Sequence, residues 1–136
     1  MINTSTNRLV IYVDDDEDDL AWVSEEFEKY PDVELLTFSD SCKFLKHIIE
    51  ERAAGRVPSL IMLDINMPVL DGKEILTILR SYKEFHTIPI AFYTTSDYSQ
   101  DKSFAKSFDA RFVTKPHSRQ LLSKTISDLL EYCSAV

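Results

Sequence analysis

Apolar residues fall along the chain in two alternating textures. Five short runs are nearly continuous: LVIYV at 9–13, VELLTF at 33–38, LIML at 60–63, IAFY at 90–93 and ARFV at 110–113. Runs of this length that do not alternate with polar residues are what strands covered on both faces require. Between them, apolar residues step by three or four: Leu20, Val23, Phe27 and Tyr30; Phe44, Leu45, Ile48 and Ile49; Ile75, Leu79 and Tyr82; Leu122, Ile126, Leu129 and Cys133. That spacing lines one face of a helix. A further helical segment, Asp97 to Ser107, rests almost entirely on Phe104 and Phe108. Asp16, Ser39 or Asp40, Asp71, Asp97 and Ser118 stand at the heads of the five helical segments, where short polar side chains accept hydrogen bonds from free backbone N–H groups. The stretch from Arg52 to Pro58, with Gly55 inside it, reads as a surface loop.

Strand and helix thus alternate five times, which predicts an α/β fold: a doubly wound, five-stranded parallel sheet flanked by five helices, with right-handed crossovers. The 136 residues fit one domain, 1–136, with its core over 8–133. In such a sheet the ligand site lies at the carboxyl ends of the strands, near the switch in strand order. Charge changes the picture in one place only. The chain has 23 acids and 15 bases, net −8, and residues 14–19 hold six of those acids in a row. No basic stripe answers them, so neither nucleic acid nor a membrane surface is expected as a partner. The longest apolar run is five residues, too short for a span or a signal core, so a soluble cytoplasmic protein is expected. Cys42 and Cys133 have no CxxC spacing and read as reduced structural thiols. His47, His86 and His117 are scattered and read as surface or boundary residues, and Trp22, Phe27 and the other aromatics at helical spacing as packing residues.

The predicted strand ends carry the chemistry. Strand one ends in Asp14 and Asp15, strand three in Asp64, strand four in Thr94, and strand five in Lys115 followed by Pro116. A parallel sheet brings all of these to one edge. Three carboxylates crowded there repel one another by several kcal/mol per pair, a conflict that a divalent cation resolves. Carboxylate ligands without His or Cys favour Mg²⁺. Lys115 adds a mobile positive charge and Thr94 a hydroxyl donor, the groups that a phosphoryl on a neighbouring carboxylate needs.

With V-D-D at 13–15, L-D-I-N-M-P-V-L-D-G at 63–72, Y-T at 93–94 and V-T-K-P at 113–116, the chain resembles a response-regulator receiver domain (CheY-like) over residues 8–133. The resemblance implies the flavodoxin-like strand order 2-1-3-4-5. It implies that Asp64 accepts a phosphoryl group from a histidine kinase or phosphotransfer protein. It also implies that Asp15, Asp64 and the backbone carbonyl of Asn66 hold Mg²⁺ with Asp14 nearby, and that Thr94 and Lys115 contact the phosphoryl oxygens. Pro68 and Gly72 would shape the loop and the start of the third helix. Thr94 and Phe112 would form the switch, and a downstream protein would read the face of helix four, strand five and helix five. A stand-alone receiver is expected, one that promotes its own phosphorylation and dephosphorylation without being an enzyme. In this setting Asp14 and Asp15 make the metal site, while Asp16, Glu17, Asp18 and Asp19 sit at the head of the first helix, where its dipole favours negative charge.

The chain departs from the family in four places: Phe112 where many relatives carry Tyr, Thr95 where a smaller residue is common, Asp109 in place of a Gly before the last strand, where it is expected to adopt a left-handed turn conformation, and His117 in place of Phe after Lys-Pro. Asn66, Thr95 and Ser96 are expected to flank the approach of a hydrolytic water. A rival reading is a haloacid-dehalogenase-like phosphatase with Asp14 as nucleophile in a D-x-D with Asp16. Glu17 after that motif, and the lack of an acidic pair at a strand end after Lys115, argue against it. A receiver-like interaction module that never turns over phosphate is a third reading, and the full set of site residues argues against that one.

Overall fold

In the computed structural model, which describes residues 8–134, each apolar run becomes a strand and each stepped segment a helix. In chain order these are β1 (Arg8–Val13), α1 (Glu17–Phe27), β2 (Val33–Phe38), α2 (Ser41–Glu51), β3 (Leu60–Leu63), α3 (Gly72–Ser81), β4 (Ile90–Thr94), α4 (Ser99–Ser107), β5 (Arg111–Thr114) and α5 (Arg119–Ser134). Residues 1–7 and 135–136 of the expected 1–136 domain lie outside the described residues.

The strands form one parallel sheet in the order β2-β1-β3-β4-β5. Its two faces divide the core by the period-two rule of a strand. Ile11, Val13, Leu63 and Phe92 pack against Phe44, Ile48, Ile75, Leu79 and Ala105 of α2, α3 and α4. Val10, Tyr12, Met62, Ala91 and Tyr93 pack against Leu20, Val23, Phe27, Leu122, Ile126 and Leu129 of α1 and α5. The three central strands are buried along almost their whole length, and β5, at the sheet edge, is the least covered.

Helix starts follow capping chemistry. The Asp16 side chain accepts from the N–H groups of Asp18 and Asp19, and that of Asp40 from Cys42 and Lys43. Asp71 and Glu74 close a reciprocal capping box, and the Ser118 hydroxyl accepts from Leu121 N–H at 3.1 Å. Asp97 does not cap. Helix α4 starts later, with Tyr98 at the cap position and no side-chain cap bond, while Asp97 is exposed and pairs with Lys102 at 2.8 Å. Ser96 explains the difference, because its hydroxyl accepts from Tyr98 N–H at 3.3 Å and donates to Asp101 of α4, closing this turn from the buried side. Two smaller differences follow from local turns: α1 stops at Phe27, with Tyr30 packed on Phe27 from a turn, and Arg52–Ala54 forms a short 3₁₀ helix inside the expected loop. Asp109 adopts φ 55° at the end of α4, where Ala110 N–H reaches Ala105 O at 2.8 Å and Asp109 N–H reaches Lys106 O at 3.1 Å. That is the Schellman closure, with an aspartate where glycine is favoured.

Candidate phosphoacceptor site

Backbone hydrogen bonds continue the sheet past the strand ends and fix the chemistry-bearing residues to it. Asp14 N–H donates to Phe38 O at 3.0 Å, Asp64 N–H to Val13 O at 3.0 Å, and Lys115 N–H to Thr94 O at 2.8 Å. The residues after β1, β3 and β5 and the last residue of β4 are thereby held on one edge. Gly72 brings α3 against that edge: a Cβ on it would lie 2.3 Å from Asp64 O, so a side chain there would push α3 off the Asp64 backbone.

One carboxylate oxygen from each of Asp14, Asp15 and Asp64 lies within 4.8 Å of the others. Their environments differ. Asp14 is fully buried and Asp64 nearly so, whereas Asp15 is exposed. Asp14 Oδ2 accepts from the Tyr12 hydroxyl at 2.5 Å and from Lys115 Nζ at 2.8 Å, and its Oδ1 accepts from Asp16 N–H at 2.9 Å. Asp64 Oδ1 accepts from Ile65 N–H at 2.8 Å, while its Oδ2 has Lys115 Nζ only at 3.5 Å. Burial first, and the Asp14 charge second, push the Asp64 carboxyl up to about 6 against the pull of Lys115, the Thr94 hydroxyl and Ile65 N–H. Burial alone would lower the Lys115 ammonium, yet hydrogen bonds to Asp14 and Asp19 and the charges of Asp64 and Asp14 hold it above the usual lysine range. Burial, then the charge and hydrogen bond of Asp14, raise the Tyr12 phenol, so it stays a donor at any physiological pH.

A hard dication fits this donor set. The three carboxylates supply only oxygen, and they stand close enough to repel unless a cation lies among them. Asn66 is exposed in the loop two residues beyond Asp64, and Thr95 is exposed beside buried Thr94. Ser96 does not join them as expected, because its hydroxyl is buried and turned to Asp101, whose other oxygen meets Lys73 Nζ at 2.5 Å. Phe112 packs half-buried on Phe92, ring centroids 6.4 Å apart at 82°. Phe92 and Thr94 alternate on β4, so Phe112 and Thr94 share the α2–α3–α4 face of the sheet.

Two members of the cluster escape sequence reasoning. Asp19 is more than a helix-head acid, since its Oδ2 lies 2.6 Å from Lys115 Nζ. Its place in the first turn of α1, directly after the β1 end that carries Asp14 and Asp15, was the available signal. Tyr12 looks like any core aromatic, and only its alternation with Asp14 along the strand points to the hydrogen bond.

The family model described as response regulator receiver domain matches residues 10–127. PilH from Pseudomonas aeruginosa is 36% identical over 74 residues, 54% of this chain and 61% of PilH. Among solved structures, the phosphorylated cyanobacterial phytochrome response regulator RcpA is 23% identical with a TM-score of 0.83, over 93% of each chain. The chemotaxis protein CheY4 of Vibrio cholerae is 26% identical with a TM-score of 0.73, over 90% of this chain and 98% of its own. The chain spans about half the length of several curated relatives it matches. No helix among the described residues is long and apolar enough to cross a membrane.

Proposed function

From the premise that the chain belongs to the response regulator receiver domain family of two-component signalling, we propose that Asp64 is its phosphoacceptor in a Mg²⁺-dependent reaction. Receiver domains interact with histidine kinases or phosphotransfer proteins, and such a protein is the proposed donor, with a downstream protein reading the result. The observation that carries this reading is the contrast between the two inner carboxylates. Both oxygens of Asp14 are engaged by short hydrogen bonds in full burial, whereas Asp64 Oδ2 meets Lys115 only at the long distance of 3.5 Å, which makes Asp64 the better placed nucleophile. Asp16, which a phosphatase would need as the second acid of its D-x-D, is turned into its own helix as the α1 cap.

In the transfer, an Asp64 oxygen forms a bond to phosphorus as the donor's P–N bond breaks. The leaving imidazole takes the bonding electron pair and departs neutral, its other ring nitrogen already carrying a proton. Asp14, Asp15, Asp64 and the Asn66 main-chain carbonyl would hold Mg²⁺, which neutralises charge on the phosphoryl oxygens. Lys115 and the Thr94 hydroxyl donate to those oxygens; the sheet fixes the backbone of both in advance, and the flexible lysine stem carries the ammonium the remaining distance. The domain is then a phosphoacceptor that promotes its own labelling and hydrolysis without being an enzyme acting on other substrates.

Incubation with acetyl phosphate and Mg²⁺ tests this by intact mass. One phosphoryl group should be gained by the wild type and lost with excess chelator or in Asp64→Asn. Labelling that survives in Asp64→Asn would refute the assignment.

A further inference from the structure

Lys115 has three ammonium protons and three carboxylates within reach. The nearest is not at the sheet edge: Asp19 Oδ2 lies at 2.6 Å, Asp14 Oδ2 at 2.8 Å and Asp64 Oδ2 at 3.5 Å. Asp19 belongs to the first turn of α1, where the helix N-terminus already favours a carboxylate. Asp18, one residue earlier in that turn, is simply exposed. The Asp19–Lys115 pair is less screened, with side chains 28% and 10% accessible.

We propose that Asp19 is a positioning residue of the phosphoacceptor site: it draws the Lys115 ammonium toward α1 and away from Asp64, and gives that ammonium up when a phosphoryl group arrives. This rests on the reading of Asp64 as phosphoacceptor. When an Asp64 oxygen bonds to the phosphorus of acetyl phosphate, the P–O bond to acetate breaks and acetate leaves with the electron pair. The phosphoryl oxygens then bring new negative charge beside Lys115. The lysine backbone stays tied to Thr94 O at 2.8 Å, but its four-carbon stem lets the ammonium turn. A proton held by Asp19 is one not donated to the phosphoryl group. Asp19 therefore favours the unphosphorylated arrangement and slows labelling, through Lys115 rather than through its charge alone.

Three proteins of residues 1–136 separate these effects: wild type, Asp19→Asn, and Asp18→Asn as the control that removes the same charge one residue away. With chelator present, the nitrogen-15 resonance of the Lys115 ammonium should move in Asp19→Asn and stay in place in Asp18→Asn. With acetyl phosphate and Mg²⁺, the labelling rate should rise about fivefold in Asp19→Asn and change by less than about twofold in Asp18→Asn. Equal acceleration in both variants would overturn the proposal in favour of simple charge repulsion. An Asp19→Asn protein that labels no faster than wild type, or an unmoved Lys115 resonance, would also overturn it. A wild type that takes no phosphoryl group would instead refute the phosphoacceptor reading, and the ammonium resonance would decide the Asp19–Lys115 contact by itself.

Discussion

At the scale of single residues, Asp14 depends on a phenol. Tyr12 and Asp14 are both fully buried, and a buried carboxylate is tolerated only when its lone pairs are met. Tyr12→Phe keeps the ring and its edge contact with Tyr93, centroids 5.5 Å apart, but removes the donor. Urea unfolding of the metal-free protein should show a loss of about 2 kcal/mol, the worth of a hydrogen bond to a charged group; an unchanged midpoint would show that Lys115 and Asp16 N–H satisfy Asp14 without the phenol. Asp64 gives a pH signature. Its carboxyl is raised from 3.8 to about 6 in the fold, so it holds its proton more tightly folded than unfolded. Its burial is harmless below about pH 4 and destabilises progressively as pH rises through about 6. In chelator, the melting temperature of Asp64→Asn relative to wild type should therefore climb across that window. A difference independent of pH would contradict the assigned cause. Asp14, Asp15 and Asp64 were legible as a group because their positions follow directly from the strand ends. Tyr12 was not, because a buried tyrosine that donates a hydrogen bond has the same sequence appearance as one that only packs.

At the scale of elements, the caps tell how far local chemistry reaches. Asp16, Asp40, Asp71 and Ser118 cap as their residue types dictate, since each needs only its own turn. Asp97 fails because Ser96 closes the turn onto Asp101, and Asp101 is held there by Lys73 of α3, a partner it meets only after folding. The left-handed position at the end of α4 was legible, for the Schellman turn needs positive φ and Asp109 is among the residues that bear it. Asp109→Gly should relieve that backbone and raise stability by about 0.5 to 1 kcal/mol in thermal unfolding, whereas Asp109→Ala, still at positive φ, should gain nothing. A stabilising Ala would show that the charge, not the backbone, limits this turn.

At the scale of the whole molecule, the parallel topology turns residues 51 and 96 positions apart into neighbours, as the Lys115 contacts to Asp64 and Asp19 show. The β-α alternation made this edge predictable. The detailed hydrogen-bond partners were not, because they depend on side-chain rotation within a few ångströms. The same topology offers a route outward. Thr94 and Phe112 share one face with Ala105 of α4, so a Thr94 hydroxyl drawn toward a phosphoryl group would free space beside the Phe112 ring. Amide shifts on α4 and β5 caused by phosphorylation should shrink in Thr94→Ala, and shifts of wild-type size would count against this route. The central claim, that Asp64 is the residue modified, is tested most directly by trapping the label. Borohydride converts an aspartyl phosphate to homoserine, and peptide sequencing by mass spectrometry after acetyl phosphate and Mg²⁺ treatment should place that homoserine at position 64. Homoserine at position 14, or at neither, would contradict the account.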